Sequence, residues 1–206
     1  MTAPRTSRTT RITRWLVSGV VVLALARVQA SRAAPDDVVD PAVIELLSAF
    51  DYVPTRAALD DVMGPAPIDQ LRQLIGLDLP VEMIETDPGV QLRAVRALAR
   101  YPGDDARTTL RDTLARYAFA RHGHDLLLLR AALESLAVVG GAAAVPDITP
   151  FLDVEESRDL RAAAANALRV IKSATALPAL RARQLIETEP QVSFAITEAL
   201  RAILEG

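Results

Sequence analysis

Apolar and polar positions along this chain fall into a phrase that returns four times: residues 90–98 (VQLRAVRAL), 128–136 (LLRAALESL), 160–168 (LRAAAANAL) and 192–200 (VSFAITEAL). Each opens on a branched apolar residue, holds small residues in the middle and closes on leucine, the three- and four-residue spacing of one helix face. The closing residues Leu98, Leu136, Leu168 and Leu200 stand 38, 32 and 32 positions apart, a period that marks stacked supersecondary units. Apolar residues return about twelve and sixteen positions after each close, as Leu110 and Leu114, Ile148 and Leu152, and Leu180 with Leu185 one position late. The unit is therefore helix, turn, helix. Pro146 and Pro178, ten positions after their closing leucines, suit the first turn of the second helix, where a missing N–H has no partner to lose.

The same template reaches upstream. Leu59 is followed by Ile68, Leu71 and Ile75 at nine, twelve and sixteen positions, a divergent first unit preceded by an apolar helix around 43–50. Turn chemistry separates the units at Asp87-Pro88-Gly89, Gly140-Gly141 and Glu189-Pro190. Ala94, Ala97, Ala131, Ala132, Ala163, Ala164, Ala167, Ala195 and Ala199 fall on or beside the apolar stripe, where small side chains let helix axes approach closely. Leu200, Ile203 and Leu204, lacking a following unit, are expected at an end face turned to solvent or to a partner.

The N-terminus has a different pattern. Arg5, Arg8, Arg11 and Arg14 precede an apolar run of twelve from Trp15 to Ala26, and Val28-Gln29-Ala30 offers small residues for cleavage. Residues 1–30 read as a signal peptide, because the run is short of the ~20 residues that cross a bilayer; an uncleaved anchor is the alternative, since passing over Arg27 to include Val28 would lengthen the segment. Residues 31–42 read as a linker and 43–206 as the repeat domain. Taking the five arginines of the signal from 23 basic residues leaves 18 against 26 acidic ones, a surface of the wrong sign for nucleic acid. With no cysteine, disulfides, thiolate metal sites and cysteine nucleophiles are all excluded.

The pattern V-x-x-A-x-x-A-L, a turn, then A-x-P-x-L resembles HEAT repeats, particularly the short bacterial type also found in phycobilin lyase subunits. Residues 160–180, with Ala176-Leu177-Pro178-Ala179-Leu180, match it most closely, and the resemblance extends over residues 51–206. The first unit is weak, and the first two spacings, 39 and 38, are longer than is usual. The resemblance implies an all-α, right-handed α-solenoid of about four to five HEAT-like helix-turn-helix repeats. It also implies a concave side lined by the phrase-bearing helices, with a protein or peptide as the partner. On that side the chain offers Arg93, Arg96, Arg130, Glu134, Arg161, Asn166, Arg169, Glu198 and Arg201, a mixed ladder of charge suited to a polar segment.

The long spacing from Leu98 to Leu136 points to about six extra residues near 117–125, expected as a surface loop. They include Tyr117, Phe119, His122 and His124, and loops on a regular scaffold are where recognition tends to sit. His122, His124 and Asp125 fall short of a metal site, because three or four ligands are needed and no other histidine or cysteine exists. No phosphate loop, nucleophile elbow or zinc-protease spacing occurs, so no catalytic residue and no cofactor is assigned. Asp60-Asp61, Asp104-Asp105 and Glu155-Glu156 are expected as solvated or helix-terminal charge. The expectation is an exported, non-catalytic scaffold, periplasmic or secreted, in a bacterial envelope. The alternatives are a structural element that touches its neighbours through its end faces, or a lyase-like activity on a pigment or other small molecule.

Overall fold

The computed structural model describes residues 39–49, 53–80 and 83–206; the signal expected at 1–30 and most of the linker lie outside the described residues. Residues 39–206 form one compact unit, all-helical, with no strand among the described residues.

Local chemistry fixes the helix starts. Helix α1 (Pro41–Ser48) begins inside the expected linker because Asp40 accepts a hydrogen bond from the Ala42 N–H and Pro41 takes the first helical position. Helix α2 (Arg56–Met63) is capped by the Thr55 hydroxyl, and α3 (Pro67–Ile75) again starts on proline. Gly76 closes α3 in the left-handed region at φ 75°, where a Cβ would lie 2.8 Å from Ile84, so both backbone and space require glycine. Asp87 caps α4 (Pro88–Ala97) through the N–H groups of Gly89 and Val90, and a 3-10 turn, Leu98–Arg100, extends it. Helix α5 (Asp104–Arg116) carries Asp104 and Asp105 in its first turn, where the helix dipole favours them.

Helix α6 (Gly123–Gly140) is apolar nearly all round and buries Leu126, Leu128, Leu129, Leu133 and Leu136. Such a helix needs neighbours on several sides. It has them in α4, α5 and α8. Short turns, Gly141–Ala144, helix α7 (Val145–Ile148) and Thr149–Asp153, lead to α8 (Arg158–Ile171), capped by Ser157 and ended by Lys172 at φ 53°. Helix α9 (Leu177–Gln184) and α10 (Pro190–Glu205) complete the chain. Pro146 and Pro178 stand in the first turns of α7 and α9.

The four phrase-bearing helices pack in chain order, α4 on α6, α6 on α8 and α8 on α10. Their partners α3, α5 and α9 pack beside them, as α3 on α4, α5 on α6 and α9 on α10. All four closing leucines are buried, and so are the nine alanines named above, which is how four helices can share one continuous apolar seam.

Two core expectations are corrected. Leu185 is 87% exposed, because α9 stops at Gln184 and the inward place is taken by Arg183. Leu200 is buried, not presented at an end face; Ile203 is half-buried, and Leu204 and Phe194 are exposed on α10.

Candidate functional site

The side chains two positions before each closing leucine, Arg96, Glu134, Asn166 and Glu198, sit on four successively packed helices. The first three are exposed; Glu198 is half-buried and accepts a 2.8 Å ion pair from Arg201, one turn on. Arg169, Glu198 and Arg201 come together with Lys172 and Glu205 around a shallow cleft of about 410 Å³ between the ends of α8 and α10. Arg130 is half-buried on α6, and its Nε is buried without a hydrogen-bond partner among the described residues.

At the other end of the row, Arg93 and Arg96 border a cleft of about 490 Å³. Its walls are mostly apolar: Leu47 in α1 and Ala49 after it, Val53 and Pro54 before α2, Leu59, Ala97, Ala99 and Val138. Arg100 joins the two arginines. Sequence reasoning passed over Arg100 and Val138, although both stand two positions after a closing leucine. Val170 occupies the same place in α8 and is also exposed. An exposed valine at a fixed repeat position was the signal that could have found this rim.

Arg161 is a correction. It lies in the first turn of α8 and is buried, 4% exposed, so it belongs to the interior and not to the polar row. Its Nε and Nη2 donate to the Glu187 carboxylate at 2.8 and 3.1 Å, and its Nη1 donates to the Val154 and Glu155 carbonyls at 3.0 and 2.8 Å. Arg183, equally buried, donates to Glu187 at 2.9 Å and reaches the Glu155 carboxylate. Glu187 also accepts the N–H groups of Thr188 and Glu189. Burial by itself would push the Glu187 carboxyl up. The donors from Arg161, the Glu189 backbone and Arg183 outweigh it and hold the group at about 2. The Glu155 carboxyl is likewise held low by the Arg183 hydrogen bond, and the Arg183 guanidinium is raised by the same contact. Every member of the network is satisfied, which suits a latch between turns and not a reactive group.

The segment 117–125 is not the open loop expected. Helix α5 ends at Arg116 and α6 starts at Gly123, so His124 and Asp125 are helical, and only 117–122 form the connection. Tyr117 is buried, with the Arg116 guanidinium 5.9 Å from its ring centre. Phe119 and His122 point to solvent, Phe119 at 88% exposure. His124 Nε2 lies 2.8 Å from Gln91 Oε1, and Gln91, itself buried in α4, donates to the Ile75 carbonyl at 3.3 Å. The pair His122 and His124 is thus divided between solvent and an inter-helix tie. Arg121 braces the connection by donating to the Ala118 and Ala120 carbonyls and pairing with Glu156.

The acidic pairs also have structural partners. Asp60 accepts from the Tyr101 hydroxyl at 2.9 Å and pairs with Arg56, and the Tyr101 phenol is raised first by burial and then by that bond. No protein-family model matches the chain, and no curated protein matches it.

Proposed function

We propose that this chain is an exported, non-catalytic scaffold, a right-handed stack of HEAT-like repeats that binds a protein partner through the polar row of its phrase-bearing helices. The observation that carries the reading is the contrast within one register. At the closing position Leu98, Leu136, Leu168 and Leu200 are buried, while two positions earlier Arg96, Glu134 and Asn166 are exposed on helices packed one on the next. Helices fixed to each other this way hold a partner segment without much ordering of their own, which leaves more of the contact energy for binding. The arginine and glutamate pairs that would suit chemistry are instead engaged in structure, as at Arg161, Arg183 and Glu187.

A second reading, a structural element that contacts neighbours through its last helix, draws on exposed Phe194 and Leu204 on α10 together with Leu185 and Ile186 before it. The two readings separate in one experiment. Tagged chain is used to recover bound protein from the native envelope fraction, beside Glu134→Arg/Asn166→Arg and Phe194→Asp/Leu204→Asp. Loss of the partner with the first pair alone is the expected result. Loss with the second pair alone would move the contact to the end of the array, and equal recovery by all three would overturn the polar row as the binding face.

A further inference from the structure

We infer that the cleft bounded by α1, α2 and α4 takes an extended acidic segment of a partner polypeptide, one in which carboxylates alternate with apolar side chains. This rests on the protein-binding reading above and names the chemistry of the partner.

Three observations converge. Val53 and Val138 leave apolar surface in water at the rim, 74% and 59% exposed, over a floor that includes Leu47 and Leu59. Arg93, Arg96 and Arg100 follow one edge at intervals of three and four residues, so the row runs roughly 10 Å along the helix at about 1.5 Å per residue. Alternate side chains of an extended peptide fall about 7 Å apart on one side. Two of its carboxylates therefore reach the row while the side chains between them turn to the apolar floor. A ligand with a single charged head would engage one end of the row and leave the rest unused.

Third, the row gathers three positive charges, unpaired among the described residues, at one cleft of an acidic chain. The chain is acidic overall, and Arg56, Arg72, Arg107, Arg111, Arg121, Arg158, Arg161, Arg183 and Arg201 pair with carboxylates, whereas Arg116, Arg130, Arg169 and Arg181, scattered over other helices, do not. Among the described residues no carboxylate lies within ion-pair distance of Arg93, Arg96 or Arg100. A cleft lined by one sign with low-dielectric walls concentrates its field and draws the opposite charge. Guanidinium groups then bind carboxylates through paired N–H donors.

The test is fluorescence anisotropy of the full chain with three labelled eight-residue peptides, alternating Asp and Leu, Lys and Leu, or Asp and Ser. Saturable binding of the Asp–Leu peptide is expected, at least tenfold tighter than either of the others and weakening as salt is raised. Arg96→Glu/Arg100→Glu is expected to weaken it at least tenfold with the helical circular dichroism and melting temperature unchanged, and Val138→Asp several-fold. Absence of saturable Asp–Leu binding, equal binding of the Lys–Leu peptide, or full binding by the charge-reversed chain would overturn the inference. If the Asp–Leu peptide fails while Glu134→Arg/Asn166→Arg still releases a captured partner, the acidic-segment inference falls and the polar-row reading stands.

Discussion

Arginine serves two different ends in two regions of this chain. Near the C-terminus, Arg161 and Arg183 are buried and converge on Glu187, whose side chain is 1% exposed. Near α1 and α2, Arg96 and Arg100 are exposed at the rim of an apolar cleft. The residue type is the same; what differs is whether a carboxylate and free carbonyls are brought within reach. Where the turns 154–157 and 185–189 supply them, the guanidinium becomes part of the interior, and where no described carboxylate comes within reach it stays exposed at the rim.

The buried end should be the more fragile. Replacing Glu187 by Gln leaves two interior guanidinium groups without their shared charge, and breaking a buried pair from one side costs about 3–5 kcal/mol. Urea unfolding of Glu187→Gln is expected to show a loss of that size. A loss under about 1 kcal/mol would mean the network is a weak ornament, and the contrast between the two ends would collapse.

Acid sharpens the same point. With the folded Glu187 carboxyl at about 2 against an ordinary value of 4.5, the folded chain binds fewer protons than the unfolded one across that interval. Stability is therefore full above about 4.5 and falls as pH drops from there towards 2. Glu155 is shifted in the same direction. In Glu187→Gln this acid-side slope should be shallower by one group, which a series of melts between pH 5 and 2 would read.

Between the two extremes lies the single hydrogen bond of His124 to Gln91. Truncation by His124→Ala is expected to cost about 1 kcal/mol, the net worth of one ordinary hydrogen bond, visible as a small shift of the urea midpoint. At the exposed end, Arg96→Glu/Arg100→Glu should leave stability within about 0.5 kcal/mol, as surface changes away from packed features generally do. A larger loss would show that these arginines, too, are structural.

The apolar register was legible because the stripe must be continuous for stacked helices to share a core. Leu98, Leu136, Leu168 and Leu200 therefore announce themselves by spacing alone. The ends of helices were legible wherever capping chemistry is local, as at Asp87-Pro88 and Pro178. The candidate site was legible only in part. Arg96, Glu134 and Asn166 occupy one repeat position and share one exposure, whereas Arg161 looked like another rung of the ladder and is interior. Its fate depends on Glu187, 26 residues on, and no local pattern encodes that distance.

The sequence by itself determined helical class, the repeat period, the buried leucine and alanine seam and the absence of thiol chemistry, since each follows from residue type and interval. Only the tertiary structure decided which arginines are interior, that His124 bonds Gln91 instead of standing free, and that Leu47, Leu59 and Val138 meet beside Arg96 and Arg100. These outcomes depend on groups far apart in the chain being brought within a few ångströms. The cost or gain of burying a charge is set by those neighbours and not by the residue that carries it.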